Sequence, residues 1–499
     1  MSILDRILGQ IAPGAAVARA KNRLALQVIN ARYEAATGGN RAAPGRVVRT
    51  DADAAAVRRD NLAFIGRDLV RNSAFAARIP QVIANNVIGD GIIPKVRAKQ
   101  KRAKAGLLAA IEAHFDTTAI DADGRNNLYG LQRLAMNTIV ESGEVLIRRR
   151  RRFATDGLPL AFQIQVLEPD YLCTSHDVTL ESGNVVKYGI EYDAIGRRVA
   201  YWLYGEHPGT AGQWLRSTVQ NLRRVPASEI LHIYRVDRPG QSRGVSWFAP
   251  VAMMLQDFAD YVDAQIMRQK IAAIFAAFRT SPEDSDAAAD TAARFERMVP
   301  GRIENLLPGE DIKFAQPPGV EGLDETTRLT LRGVAAGVGI TYESLTGDLS
   351  QVNFASGRMG RMEMDRNVSA WQWLMLIPQM MQPIGAWALE AYQVSNGVVL
   401  PDDVGLDWVP PHRVLVDPTR EIPALIDKIR GGLASWSGTV RELGFDPERL
   451  IEEISEDVAA FDDRSLIFDS DARKTSGAGQ AQASAAKTYN KPDGGQNAQ

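Results

Sequence analysis

The sequence is poor in cysteine and histidine, the side chains that most often hold transition metals or act as nucleophile and base. Its 499 residues include one cysteine, Cys173, so an intrachain disulfide and a cysteine zinc site are both excluded. We therefore expect folding in a reducing, cytoplasmic compartment. The first residues lack an apolar signal core. The most apolar window, Ala370 to Tyr392, carries three glutamines, a glutamate and two prolines, so no membrane span is expected.

Motifs of common nucleotide-dependent and hydrolytic enzymes are also missing. There is no G-x-x-x-x-G-K-[ST] phosphate loop, no G-x-S-x-G elbow and no H-E-x-x-H motif. The five histidines are far apart in the chain, and lone histidines are most often structural. We predict no catalytic residue, no metal site and no cofactor. The histidines are His114, His176, His207, His232 and His412.

The chain also has no excess of positive charge. Fifty-eight Lys and Arg against 60 Asp and Glu give a net charge of −2 at pH 7, which excludes a strongly basic nucleic-acid clamp. The balance fits a neutral or weakly acidic surface on DNA, or no DNA contact. Two basic stretches could still touch phosphates. For Lys95–Lys104 we favour a solvated strand-to-helix connection. For Arg148–Arg152 we favour an exposed hairpin edge whose charges block edge-to-edge pairing.

The apolar pattern predicts an α+β protein. Amphipathic periods indicate helices first, and from Glu144 the period changes to that of strands, with a hairpin turn at Asp156-Gly157. Helices are expected from Ala16 to Ala36, from about Asp51 to Arg71, from Ser73 to Ile88 and from Leu128 to Val140. Strands are expected at Val145–Ile147, Ala161–Leu167, Val185–Tyr192, Arg198–Tyr204 and Ile230–Val236.

Two helices then flank a small insert. The first is expected after the turn at Gly240–Gly244, with Pro250 in its first turn, and is expected to run to about Phe278. The second is expected from Asp324 to Gly339. The insert between them has short strands at Ile303–Leu307 and Ile312–Phe314. Three carboxylates recur on the first helix, and without further ligands they indicate a solvated or tunnel-facing acidic arc rather than a metal site. They are Asp257, Asp260 and Asp263.

A polar break and a very long helix follow. Residues 341–358 are rich in Ser, Thr, Asn, Asp and Gly, which compete with helix for backbone hydrogen bonds. The next helix is expected from about Ser356 to Tyr392, kinked at Pro378 and Pro383. Its Trp, Met and Ile surface is expected to need partners beyond one subunit. Helices are also expected at Arg420–Gly432 and Gly438–Val458.

Four stretches resemble one protein family, in order and over about half the chain. Together they resemble the lambda-type bacteriophage portal proteins, with a likeness extending from roughly Arg32 to Phe468. One departure is Ala355, where the family often has a serine, which weakens any role assigned to that hydroxyl. The stretches are Arg238-Pro-Gly-Gln-Ser-Arg-Gly-Val-Ser-Trp247, Leu306-Leu-Pro-Gly-Glu310, Ala335-Ala-Gly-Val-Gly-Ile-Thr-Tyr-Glu-Ser-Leu345 with Asp348 and Asn353-Phe-Ala-Ser-Gly-Arg358, and Val416-Asp-Pro-Thr-Arg-Glu421.

The resemblance implies the portal fold, with a β-rich wing, two stem helices flanking a small clip, a long kinked wing helix and a helical crown. It assigns residues 1–50 to an N-terminal arm, 51–245 to the wing, 246–278 to stem helix 1, 279–320 to the clip, 321–341 to stem helix 2, 342–356 to a tunnel loop, 357–419 to the long wing helix and its return, 420–468 to the crown and 469–499 to a disordered tail.

The resemblance also implies a structural subunit of the virion, assembled in the host cytoplasm as a homo-oligomeric ring, expected to be a dodecamer, at one capsid vertex. Its partners would be double-stranded DNA passing non-specifically, the terminase large subunit, the head–tail connector protein, and the major capsid and scaffolding proteins. The tunnel loop would face the DNA, followed by a charged stripe that begins with Arg358 and Arg361. The DNA-facing residues would be Glu343, Asp348, Ser350, Gln351, Asn353 and Phe354.

Two alternatives remain from the residues alone. One is a head–tail adaptor or minor capsid component without a DNA tunnel. The other is a nucleic-acid enzyme that uses an acidic cluster and a divalent metal. Particle symmetry would separate the first from a portal, and metal-dependent hydrolysis by the isolated chain would support the second.

Overall fold

The computed structural model describes residues 59–209, 222–273, 277–280, 311–314, 323–411, 417–443, 445 and 447–466. The chain divides after Pro411 into two compact units, which are described separately below. Several segments named above lie outside the described residues: the N-terminal arm with its helix at Ala16–Ala36, the strand at Ile303–Leu307 and the tail 469–499.

In the first part of unit 1, helices with one short strand among them come first and a run of strands follows, in agreement with the α+β prediction. Ser73 starts the second helix, because its side chain accepts a hydrogen bond from the Ala76 amide at 3.4 Å. Gly143 ends the fourth in the left-handed conformation (φ 94°). The elements are α1 (Arg59–Asn72), α2 (Ala74–Val87), β1 (Ile93–Arg97), α3 (Lys101–Phe115), α4 (Leu128–Ser142), β2 (Glu144–Arg151), β3 (Phe162–Leu167), β4 (Val178–Thr179), β5 (Val185–Lys187), β6 (Ile190–Tyr192), β7 (Arg198–Tyr204), β8 (Leu222–Pro226) and β9 (Ile230–Tyr234).

The second part of unit 1 contains the helix pair, the ends of the insert and the long helix. Its elements are α5 (Ala252–Ala273), β10 (Ala277–Thr280), β11 (Asp311–Phe314), α6 (Leu323–Val338), α7 (Tyr342–Thr346), α8 (Phe354–Trp371), a π-helical segment (Gln372–Met381), α9 (Gln382–Asn396) and β12 (Gly405–Val409). Unit 2 contains α10 (Pro418–Arg430), α11 (Trp436–Glu442) and α12 (Pro447–Asp463).

Strand β2 is the middle strand of an antiparallel sheet in the order β3-β2-β9. The prediction that the arginine run lies on a hairpin edge is therefore wrong for β2 up to Arg148, which pairs with Gln165 on one side and Ile230 on the other. The second neighbour, β9, comes from far along the chain, so local patterning could not reveal it. Beyond Arg148 only the pairing with β3 continues.

A five-stranded antiparallel sheet runs in the order β4-β5-β6-β7-β8. The strand predicted at Val185–Tyr192 is in fact a hairpin, because the chain reverses at Tyr188 and Gly189, which have φ values of 50° and 77°. Positive φ at two consecutive residues is the geometry of a tight hairpin turn. Strand β1 pairs with β12, and β10 pairs with β11.

The basic stretch Lys95–Lys104 connects β1 to α3, as predicted. Arg97 forms an ion pair with Asp407 at 3.4 Å, and the Lys99 amide donates to the Asp403 carboxylate at 3.1 Å. These partners lie in or beside β12, so part of this positive charge is compensated within the subunit.

Two apolar cores lie on opposite faces of β2. Val145 and Ile147 belong to the main core, which includes α2, α4 and the long helix. Leu146 points to the other face and joins a smaller core with residues of the five-stranded sheet, such as Tyr201 and Leu203. This alternation follows from the two-residue period of a strand. Strand β2 therefore joins the helical part of unit 1 to its β-rich part.

A buried ionic cluster, which we call the Glu144 cluster, comprises Glu144, His232 and Arg243. The Glu144 carboxylate accepts from the Arg243 Nε at 2.7 Å, from the Gly244 amide at 2.8 Å and makes a 2.8 Å hydrogen bond with His232 Nε2. Burial alone would raise the pKa of Glu144, but Arg243 and His232 hold it well below its ordinary value. Burial lowers the pKa of His232 to about 4, against the opposing effect of Glu144.

Helices α5 and α6 pack together through small residues. A Cβ added to Gly337 would lie 2.4 Å from Val251 Cγ1, and one added to Gly333 would lie 2.9 Å from Met254 Sδ. The first helix of the pair is shorter than predicted: it begins at Ala252, after a turn that contains Pro250, and Phe278 belongs to β10. The second, α6, matches the predicted helix Asp324–Gly339.

The β10–β11 pairing brings together the two ends of the insert, with Ala277 opposite Phe314. The strand predicted at Ile312–Phe314 is thus present as β11. The residues between Thr280 and Asp311 lie outside the described part of the chain.

The long helix runs without interruption from Phe354 to Asn396. Pro378 lies inside the π-helical segment, and Pro383 lies in the first turn of α9. Proline has no backbone N–H, so it cannot donate the hydrogen bond that an α-helix needs at its position. The wider turn of a π-helix is therefore compatible with a proline inside the helix. Both prolines predicted to kink the helix thus lie within or next to the π-helical segment.

Most of the apolar surface of the long helix is buried within its own subunit. Five of its large apolar side chains are largely exposed: Met359 (73%), Met362 (52%), Trp373 (55%), Leu374 (76%) and Val394 (73%). The prediction that this surface as a whole needs outside partners is therefore too broad. The buried residues are Trp371, Met375, Leu376, Ile377, Met380, Met381, Ile384 and Trp387.

Unit 2 is helical, as predicted for the segment after Arg420. The helix predicted from Gly438 to Val458 is two helices, since α11 ends at Glu442 and α12 begins at Pro447. Proline is favoured in the first turn of a helix, and here it marks the start of the second one. No described helix in either unit is both long enough and apolar enough to cross a membrane.

Candidate functional site

The segment Tyr342–Ser356 connects α6 to the long helix. It is the segment that the family resemblance predicts to be the tunnel loop, and we call it the channel loop after that predicted role. It begins with α7, because the Thr341 side chain accepts from the Ser344 amide at 3.1 Å and caps a short helix. That helix ends at Gly347, which has a φ of 75°. The expectation that the whole break resists helix is therefore wrong for its first five residues.

Asp348 organises the exposed turn that follows. Its carboxylate accepts from the Ser350 amide at 3.0 Å and from the Tyr342 hydroxyl at 3.3 Å. Hydrogen bonds from Ser350, through its side chain and its amide, lower the pKa of Asp348. The carboxylate thus remains ionised at neutral pH and holds the turn together. It is half-buried rather than fully presented to solvent.

The end of the channel loop is fixed by a reciprocal cap on the long helix. The Asn353 side chain accepts from the Ser356 amide at 2.8 Å, and the Ser356 hydroxyl accepts from the Asn353 amide at 3.1 Å. The N-x-x-S spacing is a local signal that sequence reasoning could have used for the helix start. Asn353 is therefore occupied as a cap, while Ser350 and Gln351 are exposed.

Contacts from neighbouring helices anchor the first half of the channel loop. Arg78 donates to the Ser344 carbonyl at 2.9 Å, and the Arg332 guanidinium lies 5.5 Å from the centre of the Tyr342 ring. Leu345 is fully buried. Leu349 is 66% exposed, and sequence reasoning missed it as a candidate contact residue. The anchored start and the capped end confine the exposed part to residues 347–353.

The charged stripe at the start of the long helix is largely self-compensated. Arg361 pairs with Asp365, and Arg366 pairs with Glu363, each at 3.1 Å. These are i,i+4 and i,i+3 pairs on one helix, which contribute little to stability when exposed. Arg358 is exposed.

The acidic arc of α5 does not present three equivalent carboxylates. Asp260 and Asp263 are exposed, but Asp257 is half-buried. Within the described ranges, the one group of metal-ligand type lies elsewhere and comprises Glu168, Asp170 and His207. Arg67 already donates to Asp170 at 3.1 Å and lies 3.7 Å from Glu168, so this group is an ion-pair network with its own cation.

A family model described as "Phage portal protein, lambda family" matches residues 38–372, which is well over half of the chain. This chain belongs to the lambda family of phage portal proteins. It is a structural portal subunit, and portal proteins are components of the virion.

Curated relatives carry the same name. A probable portal protein of Halomonas phage phiHAP-1 is 27% identical over 412 residues, covering 78% of each chain. Portal protein B of Escherichia phage lambda is 20% identical over 439 residues, covering 77% of this chain and 81% of its own. Among solved structures, a chain of the neck of a native gene transfer agent particle is 15% identical with a TM-score of 0.49, covering 78% of this chain and 94% of that one.

Proposed function

We propose that this subunit assembles into a closed ring at one capsid vertex and that the channel loop lines the path of the DNA through it. Packaging and ejection would use the same channel. The terminase large subunit and the head–tail connector would dock on the clip, residues 279–320, and the capsid and scaffolding proteins on the outer parts. Assembly would take place in the host cytoplasm. The subunit would have no catalytic role of its own.

One observation carries the proposal for the channel loop: its exposed part is firmly held at both ends yet contains no Lys or Arg. A loop that bound phosphates tightly would present cations, and each cation–phosphate contact would slow the passage of a long duplex. The exposed Ser350 and Gln351 can form and break weak hydrogen bonds instead. The one carboxylate of the turn, Asp348, adds mild repulsion, which also favours sliding.

The test replaces Asp348 and Gln351 with lysine (Asp348→Lys/Gln351→Lys). The control Gln81→Lys/Asp402→Lys makes the same charge change at two exposed positions outside the loop. Mass photometry and negative-stain images establish ring formation for each protein. DNA packaging and release are then measured at increasing salt.

We expect rings from all proteins, but stalled packaging or retained DNA in the loop variant only. Each new phosphate contact should add about 0.9 to the slope of log affinity against log salt, so the defect should ease as salt rises. Normal packaging and release by a loop variant that forms rings would contradict the channel assignment. A chain that forms no closed ring even with its capsid partners would favour an adaptor without a tunnel.

A further inference from the structure

The run Arg148–Arg152 is divided by the pleat of β2 into two sets. Arg149 and Arg151 project to one face, and Arg148 and Arg150 to the other, because successive side chains of a strand alternate. Arg152 follows the strand and joins the second set through its hydrogen bond to Gln163, the residue opposite Arg150. The register agrees, since Arg149 lies opposite Ile164 of the main core, while Arg148 and Arg150 lie opposite Gln165 and Gln163.

The first set is neutralised inside the subunit. Arg149 is buried, forms an ion pair with Glu390 at 2.6 Å, and lies 5.5 Å from the centre of the Trp387 ring. Arg151 forms an ion pair with Glu229 at 2.7 Å and reaches Glu390 at 3.4 Å. These two arginines therefore connect β2 to the long helix and to the start of β9.

Two members of the second set, Arg150 and Arg152, are held by neutral groups. Arg150 Nε donates to the Gln165 side-chain oxygen at 3.1 Å, and Arg152 Nε donates to that of Gln163 at 2.7 Å. Glutamine oxygens fix the direction of a guanidinium but leave its charge unbalanced. A hydrogen bond to a neutral amide also leaves other N–H donors of the guanidinium group available for a bound anion.

A fourth arginine, Arg223, lies two residues before Val225 on β8. Val225 belongs with Leu146 to the smaller core, so Arg223 projects from β8 on the side that faces the Leu146 face of β2. Burial lowers the pKa of Arg148, and the charges of Arg150 and Arg223 lower it further. Burial likewise lowers the pKa of Arg150, with added repulsion from Arg152 and Arg223. Like charges that repel one another in a partly buried setting are stabilised when an anion is bound.

Among the described residues, the carboxylates that act on Arg148 and Arg150 are Glu229 and Asp123, which are fewer than the four cations. Glu229 acts favourably on Arg148, but it is already paired with Arg151. Asp123 acts favourably on Arg150. The segment that leads into β8, residues 210–221, contains no Asp or Glu in its sequence.

We propose that Arg148, Arg150, Arg152 and Arg223, which we call the arginine face, bind the phosphate backbone of double-stranded DNA outside the channel. Arginine forks match phosphate geometry, and residues two apart on a strand place successive guanidinium groups about 7 Å apart, in a line suited to a chain of charges. The contact would be to backbone and not to bases, so it would not depend on sequence.

A DNA duplex fits this face better than an acidic peptide does. Up to Arg148, strand β2 is hydrogen-bonded on both sides, so a peptide could add to the sheet only beyond Arg148 and would have to reach Arg148 and Arg223 by side chains alone. A duplex needs no backbone pairing and offers a continuous line of charge. The inference holds whether or not the channel loop faces DNA.

The experiment uses the full chain and a covalently closed circular duplex, which cannot thread through a closed ring by an end. Binding is measured by fluorescence anisotropy over a range of salt concentrations. The test variant is Arg148→Gln/Arg150→Gln. The matched control is Arg71→Gln/Arg197→Gln, which removes the same charge from two exposed positions elsewhere. Ring formation and the unfolding midpoint are recorded for each protein.

We expect the test variant to bind the circle at least tenfold more weakly at low salt. The slope of log affinity against log salt concentration should become shallower by about 2, because about 0.9 is lost for each of the two phosphate contacts removed. The control should bind like the parent. If the test variant does not fold, Arg152→Gln/Arg223→Gln, at two exposed positions, replaces it with the same expectation.

Unchanged affinity and slope in a folded variant would overturn the proposal, as would no binding of the circle by the parent at low salt. Displacement of the circle by a deca-glutamate peptide at equal charge concentration would also overturn it, in favour of an acidic protein segment. Failure of the channel-loop experiment would leave this result unaffected, because the circle reports only on the outside of the ring.

Discussion

The Glu144 cluster and the channel loop both depend on a carboxylate that accepts several hydrogen bonds, yet they differ in what surrounds it. In the cluster, Glu144 is buried with Arg243 and His232 and its charge is balanced inside the protein. In the loop, Asp348 lies next to exposed polar side chains and fixes only its own turn. The first arrangement holds strands together, and the second orders a short exposed turn that contains no Lys or Arg. A carboxylate can therefore stabilise a buried cluster in one place and order an exposed turn in another.

The largest effect should come from breaking the buried pair with Arg243→Met. The variant leaves the Glu144 charge buried without its main partner, which typically costs about 3–5 kcal/mol. We expect a large fall in the urea midpoint, followed by tryptophan fluorescence. Asp348→Asn in the channel loop is the control and should leave that midpoint unchanged. If Arg243→Met were as stable as the parent, the cluster would not be the structural element that we describe.

A second effect is a loss of stability in weak acid. The pKa of His232 is about 4 when folded, against 6.5 for an ordinary histidine, so between these values the unfolded chain binds more protons. Stability should fall as the pH is lowered through this window, by up to about 3 kcal/mol for a fully buried histidine. The depressed pKa of Glu144 acts in the same direction at still lower pH.

Urea midpoints at several pH values between 7.5 and 4 would measure this loss. His232→Gln keeps a donor for Glu144 but cannot titrate, so its midpoint should fall less steeply with pH. His114, whose pKa burial also lowers to about 4, would retain its own contribution. Equal pH dependence in the variant and the parent would rule out His232 as a source of acid sensitivity.

The smallest effect should come from the close packing of α5 against α6, the helix that leads into the channel loop. Gly337→Ala would place a methyl group 2.4 Å from Val251 Cγ1, and such overpacking costs about 1–3 kcal/mol. Gly333→Ala meets only the flexible Met254 side chain, at 2.9 Å, and gains helix propensity. We therefore expect a lower midpoint for the first variant and an equal or higher one for the second. The reverse order would show that the two helices are not in contact as described.

Much of the fold could be predicted from local patterns. The starts and ends of α2, α4 and α6 follow from Ser73, Gly143 and Gly339, whose capping or backbone preferences act within a few residues. The break before the long helix was visible for the same reason. Local patterns did not show that the chain forms a hairpin at Tyr188-Gly189 or that α5 ends before Phe278. In both places the apolar residues continue, while the backbone changes direction.

The sequence by itself determined most of the order of helices and strands and the position of the break before the long helix, because periodicity, capping and turn residues act over short distances, and its matched stretches indicated the family. Tertiary structure alone decided which charges are buried and which are available. Glu144 and Arg243 are 99 positions apart, and Arg149 and Glu390 are 241 apart. The energy of a charge depends on desolvation and on the groups that face it, and neither can be read from its neighbours in sequence.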